Sequence, residues 1–133
     1  SDLGDLNDLP AAMIHTDVCF ENTIQTATGE VVLIDWDDAG LAPALQDVGY
    51  FLVHEAIPSG DAVDWDRARA FLDGYQSERP LETREWDRLA DALVFGALAY
   101  VLAPWESKIY HLNWQRLRCV RELGPRLVEG LRR

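Results

Sequence analysis

Two short runs of β-forming residues, NTIQTA at residues 22–27 and EVVLID at residues 30–35, flank the turn residues Thr28 and Gly29. Runs joined by so short a connection are typical of an antiparallel β-hairpin, and Gly29 can take the positive φ that a tight turn requires. A hairpin folds its second strand back beside its first. The sequence therefore predicts that Asp35 returns to the residues that precede the hairpin.

Those preceding residues form the polar stretch HTDVCFEN at 15–22, which follows a short predicted strand, AAMI, at residues 11–14. Because the hairpin carries Asp35 back toward this stretch, we expect Asp17, Asn22 and Asp35 to converge on one small volume. Carboxylate and amide oxygens are hard ligands that suit Mg²⁺, which completes its shell with water and phosphate oxygens. The pattern therefore predicts a magnesium site.

From Leu41 onward, apolar residues recur at helical spacing. The pattern predicts four to five helices. One follows Leu41, one is capped by Asp64, one ends at Pro104, and the C-terminal segment forms one or two, with a kink or break at Gly124–Pro125. Together with the hairpin, these helices predict an α+β fold that is mostly helical.

Composition limits the classes of partner. The chain has 133 residues, enough for a single domain, and 23 acidic against 12 basic residues give a formal net charge of -11. Such a surface repels phosphate backbones and anionic lipids, so we expect neither nucleic acid nor membrane as a partner. Two distant cysteines, Cys19 and Cys119, form no disulfide framework and fit a cytoplasmic location. The longest apolar run, residues 92–103, is too short to span a bilayer.

The order HTDVCFEN, LIDWDDAG and QDVGY resembles the aminoglycoside phosphotransferase and choline kinase group, whose fold is related to that of protein kinases. In that group an HxDxxxxN loop precedes a strand that ends in IDW or IDF, and a helix with a further Asp follows. The resemblance implies that Asp17 is the catalytic aspartate and that Asn22 and Asp35 hold magnesium. It also implies that His15 and a buried Asp47 support the loop by hydrogen bonds.

As a function, the resemblance implies transfer of the γ-phosphate of ATP or GTP to a hydroxyl of a small molecule. A cationic acceptor suits the acidic composition. Trp36 and Asp37 are candidates for contacts with the acceptor or with a second metal ion. Candidates for binding a cationic acceptor are Glu55, Asp61 and Glu106.

The sequence departs from the group's usual pattern at the loop. Thr16 stands where the group usually has Gly, and Cys19-Phe20 stand where it often has His-Pro. Neither position carries the transfer chemistry, but both can alter how the acceptor or the nucleotide fits.

The resemblance covers the C-terminal lobe of such a kinase. We expect a single domain in which residues 1–40 form the catalytic loop and metal-binding hairpin and residues 41–133 form a helical acceptor-binding part. We expect that the N-terminal nucleotide-binding lobe, with its phosphate-pairing lysine, is absent from these 133 residues, whose only lysine is Lys108. That lobe would come in cis or from another chain, and the isolated chain is expected to be inactive.

Two other classes of function are compatible with the residues. One is a non-catalytic kinase relic that binds a ligand or a protein partner through its helices. The other is a metal-dependent hydrolase that uses His15, Asp17 and Asp35, with His54 as a further ligand.

Overall fold

The computed structural model describes residues 6–101 and 107–133. Within these residues, four short strands come first, and four helices follow and make up most of the described chain. The strands are β1 (Ala11–Ile14), β2 (Thr23–Gln25), β3 (Val31–Leu33) and β4 (Gly40–Pro43). The helices are α1 (Leu45–Ala56), α2 (Trp65–Glu78), α3 (Thr83–Val101) and α4 (Ser107–Arg132). The predicted α+β, mostly helical fold is confirmed.

The predicted hairpin is present. Strands β2 and β3 pair antiparallel, with Thr23 opposite Leu33, and Gly29 in the connecting turn has a φ of +88°. Strand β3 ends at Leu33, two residues before the predicted end at Asp35. The hairpin thus returns the chain to the end of the polar stretch, where β2 begins.

A second strand pair was not predicted. Residues 40–43 form β4 and pair antiparallel with β1, with Ile14 opposite Gly40 and Ala11 opposite Pro43. The prediction that helix begins at Leu41 was therefore wrong, and α1 begins at Leu45. The reason is tertiary, because β1 satisfies backbone groups of residues 40–43 that a helix would otherwise have to satisfy. The pairing of β1 with β4 therefore holds the two ends of the segment 15–39 next to each other.

The core lies between the helices. The predicted apolar face of α1, formed by Leu45, Val48, Phe51 and Leu52, is buried. Helices α1 and α3 approach closely where Gly49 faces Ala92, and a Cβ on Gly49 would lie only 2.5 Å from the Ala92 carbonyl carbon. This close approach holds α1, which supports the site, firmly against α3.

Helix ends follow local rules with one correction. The Asp64 side chain accepts a hydrogen bond from the Arg67 backbone N–H at 3.0 Å, so the predicted cap of α2 is confirmed. Of the kink or break predicted at Gly124–Pro125, the break is contradicted, since α4 is one helix that continues through Pro125. Pro125 is exposed, so water can satisfy the carbonyl that loses its helical partner there.

The other predictions concern helix lengths and spans. Helix α3 ends at Val101, and the predicted stop at Pro104 lies outside the described residues, as does Glu106. None of the helices in the described part of the chain is long and apolar enough to cross a bilayer.

Candidate functional site

Asp17 is held by hydrogen bonds from two different elements. Asn22 Nδ2 donates to Asp17 Oδ2 at 2.9 Å and to the Asp17 carbonyl oxygen, also at 2.9 Å. The Tyr50 hydroxyl, which belongs to α1, donates to Asp17 Oδ1. The Asp17 carboxylate is half-buried, so it is both fixed and accessible.

The hairpin brings Asp35 back to the loop formed by the polar stretch at residues 15–22. Ile34 N–H donates to the Asn22 carbonyl oxygen at 2.8 Å, which extends the β2–β3 ladder by one pair beyond Thr23 and Leu33. Asp35 therefore directly follows Ile34, the last residue of the extended ladder, and Asp35 is exposed. Its φ of +64° is uncommon for a residue other than glycine, and such strain is often found at functional sites. The predicted return of Asp35 to the loop is thus observed in the backbone.

His15 connects the loop to the end of β3. Its ring is 1 % exposed, and its Nε2–H donates to the Ile34 carbonyl oxygen at 2.7 Å. Its Nδ1 accepts from the Asp17 backbone N–H at 3.2 Å. These two bonds define a neutral Nε2–H tautomer. Both ring nitrogens are used by backbone groups, which favours the supporting role over that of a catalytic base.

Asp47 anchors the loop backbone from the first turn of α1. Its Oδ2 accepts from the His15 N–H at 2.7 Å, and its Oδ1 accepts from the Thr16 N–H at 2.9 Å. These are the hydrogen bonds to the loop that the resemblance implies, although Asp47 is half-buried rather than buried. Thr16 has a φ of +74°, a conformation that glycine adopts without strain. This explains structurally why glycine is suited to the position.

Trp36 and Asp37 follow Asp35 in an exposed turn closed by a hydrogen bond from Ala39 N–H to the Trp36 carbonyl oxygen. The Trp36 indole donates to the Leu33 carbonyl oxygen at 2.8 Å, and its ring meets the His15 ring edge-on, with centroids 4.8 Å apart. These two contacts of Trp36 stabilise the end of β3. The predicted contacts of Trp36 and Asp37 with an acceptor or second metal ion stay predictions.

The donor set suits a magnesium ion. Because Asn22 Nδ2 is occupied by Asp17, the amide oxygen of Asn22 is the atom that remains for a cation, and Asp35 adds an exposed carboxylate. Hard oxygen donors of this kind fit Mg²⁺. Within the described residues, no three His, Cys, Asp or Glu side chains are grouped as they would be in a metal site made entirely of such ligands.

Glu55, beside the loop, and Cys19, within it, have ordinary structural contacts. Glu55 Oε1 accepts from the Phe20 N–H at 2.9 Å, so this carboxylate already holds the 3-10 turn at Phe20–Asn22. The Cys19 Sγ lies 4.0 Å from Asp17 Oδ1. Burial, with the nearby charge of Asp17, raises the pKa of the Cys19 thiol, so it stays protonated near neutral pH. Cys19 is therefore not an activated nucleophile.

Both ring nitrogens of His54 lie beside groups of α3 and α4. Its Nε2 lies 3.3 Å from the Gly96 carbonyl oxygen and its Nδ1 lies 3.3 Å from Arg116 Nη1. Burial, and then the charge of Arg116, lower the pKa of His54 to about 4, so the ring is neutral at pH 7. Both nitrogens contact protein groups, which disfavours the hydrolase hypothesis that made His54 a metal ligand.

Tyr50 is the residue that sequence reasoning missed. It stands in QDVGY, yet only Asp47 of that stretch was given a role. The available signal was helical spacing, because residues three apart on a helix lie on the same face. If Asp47 faces the loop, Tyr50 must face it too.

The arrangement agrees with a comparison to known proteins. The chain matches the family model described as the phosphotransferase enzyme family, APH, over residues 2–81. This range is more than half of the chain and includes the polar stretch, the hairpin, α1 and α2. The resemblance to the aminoglycoside phosphotransferase and choline kinase group is confirmed. The chain belongs to the phosphotransferase enzyme family.

Proposed function

We propose that this chain is the C-terminal, catalytic and acceptor-binding lobe of a small-molecule kinase, with Asp17 as its catalytic residue. One observation carries the proposal. Asn22 holds the Asp17 carboxylate through its amide nitrogen and keeps its amide oxygen for a cation, while the hairpin returns Asp35 to the same place. In this proposal the Asp17 carboxylate orients the acceptor, and Asn22 and Asp35 are the oxygen donors for a metal ion.

In the proposed reaction, Asp17 accepts a hydrogen bond from the acceptor hydroxyl and takes its proton. The hydroxyl oxygen forms a bond to the γ-phosphorus of ATP or GTP, and the bond from that phosphorus to the β–γ bridging oxygen breaks, which releases the nucleoside diphosphate. Such a reaction depends mainly on alignment of the reacting groups. The fixed Asp17 carboxylate suits this requirement.

Asn22 and Asp35 are the residues that would hold magnesium. When bound, Mg²⁺ neutralises charge on the nucleotide phosphates. Asp35 contributes a formal negative charge and Asn22 a neutral oxygen, a pair that leaves room for phosphate and water in the shell of the ion.

The proposal includes a nucleotide-binding lobe, supplied in cis or by another chain. Its support is the apolar surface of the strand region. Met13 and Leu41 are directly paired across β1 and β4, and they are 66 % and 78 % exposed. On the hairpin, Val31 is 70 % exposed. A second lobe packed on these strands would remove this apolar surface from water.

A cavity next to the loop is the space that we propose for the acceptor. A cavity of about 250 Å³ is lined by residues that include Thr16, Asp47, Tyr50 and Phe95. Most of its lining is apolar, and the Asp47 carboxylate is already occupied by two backbone N–H groups. A test should therefore include both cationic and neutral acceptors.

The experiment uses the protein expressed from its complete gene. Transfer of labelled γ-phosphate from Mg-ATP and Mg-GTP is measured with water, aminoglycosides, choline, amino alcohols and sugars as acceptors. We expect Asp17→Asn to lower kcat by about a hundredfold or more while Mg-nucleotide affinity, measured by calorimetry, is nearly unchanged.

Asp73→Asn is the matched control, because it makes the same chemical change on the exposed surface of α2. It should leave kcat unchanged. Asp17→Asn with an undiminished rate would refute the assignment of Asp17. A wild-type protein that binds no Mg-nucleotide and transfers no phosphate would instead support the non-catalytic relic.

A further inference from the structure

One face of α1 is directed at the loop. Asp47, Tyr50 and His54 are three and four residues apart, so they lie along one side of the helix. Asp47 holds the backbone N–H groups of His15 and Thr16. One turn further along, the Tyr50 hydroxyl donates to the Asp17 carboxylate. A single helix face therefore contacts both the backbone and the key side chain of the loop.

The Tyr50 phenol is itself held in place. Its side chain is only 6 % exposed, and its ring packs on the His54 ring with centroids 4.4 Å apart. Its backbone lies against α3, where a Cβ on Gly96 would be 2.9 Å from the Tyr50 Cα. The backbone packing of Tyr50 on α3 and its ring contact with His54 together position the hydroxyl.

The two carboxylate oxygens of Asp17 accept hydrogen bonds from two different residues. Tyr50 donates to Oδ1 from α1, and Asn22 donates to Oδ2 from the end of the loop. Two donors on different elements restrict rotation of the carboxylate. We infer that Tyr50 is a positioning residue that fixes the Asp17 carboxylate for phosphoryl transfer. This inference rests on the proposed function.

The test compares Tyr50→Phe with wild-type protein from the complete gene. Phenylalanine keeps the ring and its packing on His54 and removes only the hydroxyl. With Mg-ATP as donor, and with water and each active hydroxyl compound as acceptor, kcat should fall on the order of tenfold to a hundredfold. The KM for Mg-ATP should stay within about twofold, because the substitution changes neither of the proposed magnesium ligands, Asn22 and Asp35.

Two further variants make the result specific. Tyr75→Phe is the matched control, because the Tyr75 hydroxyl contacts Arg79 at 3.2 Å on α2 and should have no effect on kcat. Incorporation of 4-aminophenylalanine at position 50 supplies a different hydrogen-bond donor and should restore part of the lost kcat. A loss caused only by altered folding would not be rescued in this way.

The hydrogen bond can be measured without any substrate. In the 133-residue chain at pH 7, the carboxyl ¹³C resonance of Asp17 should shift in Tyr50→Phe and stay unchanged in Tyr75→Phe. Wild-type kcat in Tyr50→Phe, alongside a large loss in Asp17→Asn, would overturn the positioning role and leave the proposed function intact. An Asp17→Asn protein with full activity would overturn both. An unshifted Asp17 resonance would also overturn the positioning role.

Discussion

The strand region, residues 10–43, and the four helices differ in what holds them together. In residues 10–43 the only buried apolar side chains are Ile14 and Pro43, and large apolar residues such as Met13 and Leu41 are exposed. The helices instead contribute nearly all of the buried core. Burial of apolar surface therefore stabilises the helices, while the strand region depends on its hydrogen bonds to α1.

This difference separates the packing that stabilises the molecule from the contacts that set the geometry of the loop. The loop at residues 15–22 has little apolar burial of its own, so polar contacts to the well-packed helix α1 set its geometry. Asp47, Tyr50 and Glu55, all on α1, each accept from or donate to the segment that contains Asp17. A change in helix packing should therefore affect the whole molecule, whereas a change in these contacts should affect mainly the loop.

The largest expected effect comes from Gly49→Ala. The added Cβ would lie 2.5 Å from the carbonyl carbon and 2.9 Å from the Cβ of Ala92, so α1 and α3 would have to separate. We expect the free energy of unfolding to fall by about 3 kcal/mol or more. Chemical denaturation followed by circular dichroism measures it.

Gly74→Ala is the matched control for this substitution. Gly74 is also within a helix, but it is exposed and a Cβ there would have no atom within 4 Å. Alanine at this position should stabilise the protein by about 0.5–1 kcal/mol, because it restricts the unfolded chain. Equal effects of the two substitutions would contradict the close packing of α1 on α3.

A smaller and more local effect is expected from Asp47→Ala. It removes the acceptor of the His15 and Thr16 N–H groups and should lower the free energy of unfolding by about 2 kcal/mol. Amide hydrogen exchange should accelerate at residues 15 and 16 far more than at the core residue Leu52.

Asp47→Asn should be intermediate, because its amide oxygen can still accept one of the two bonds. Asp73→Ala, on the exposed surface of α2, serves as the control and should leave both measurements unchanged. If exchange accelerated equally in the loop and in the core, the loop would not be a separately anchored unit.

The smallest effect is expected from Thr16→Gly, and it is stabilising. Thr16 has a φ of +74°, which costs a β-branched residue energy that glycine does not incur. Its hydroxyl contributes only a long hydrogen bond, 3.4 Å, to the Asp38 carbonyl oxygen. Because glycine also gives the unfolded chain more freedom, the net gain should be at most about 1 kcal/mol by denaturation.

Thr16→Ala distinguishes the backbone from the hydroxyl, since alanine lacks the hydroxyl but still disfavours a positive φ. It should gain less than Thr16→Gly. A glycine variant less stable than the wild type would mean that the hydroxyl contact outweighs the relief of backbone strain.

Several features were predictable because they depend on neighbours in the chain. The hairpin turn needs the positive φ of Gly29, the cap of α2 needs Asp64, and the buried face of α1 follows from helical spacing. Each rule acts over a few residues. The predicted convergence on the loop also rested on a local rule, since Asp35 is joined to Asn22 by a hairpin.

The features that were missed depend on residues far apart in the chain. Residues 40–43 form a strand because β1 lies beside them. Pro125 stays within α4 at an exposed position of that helix. Helical spacing places Tyr50 on the same face as Asp47, but it does not assign the Tyr50 hydroxyl to Asp17, which lies 33 positions away in the chain.

The sequence by itself determined the order of loop, hairpin and helix, and with it the identity of Asp17, Asn22 and Asp35 as the candidate site. Only the tertiary structure decided how Asp17 is held. The physical reason is that helical and hairpin patterns arise from local backbone geometry, whereas the position of the Tyr50 hydroxyl depends on α1 packing against α3 through Gly49 and Gly96.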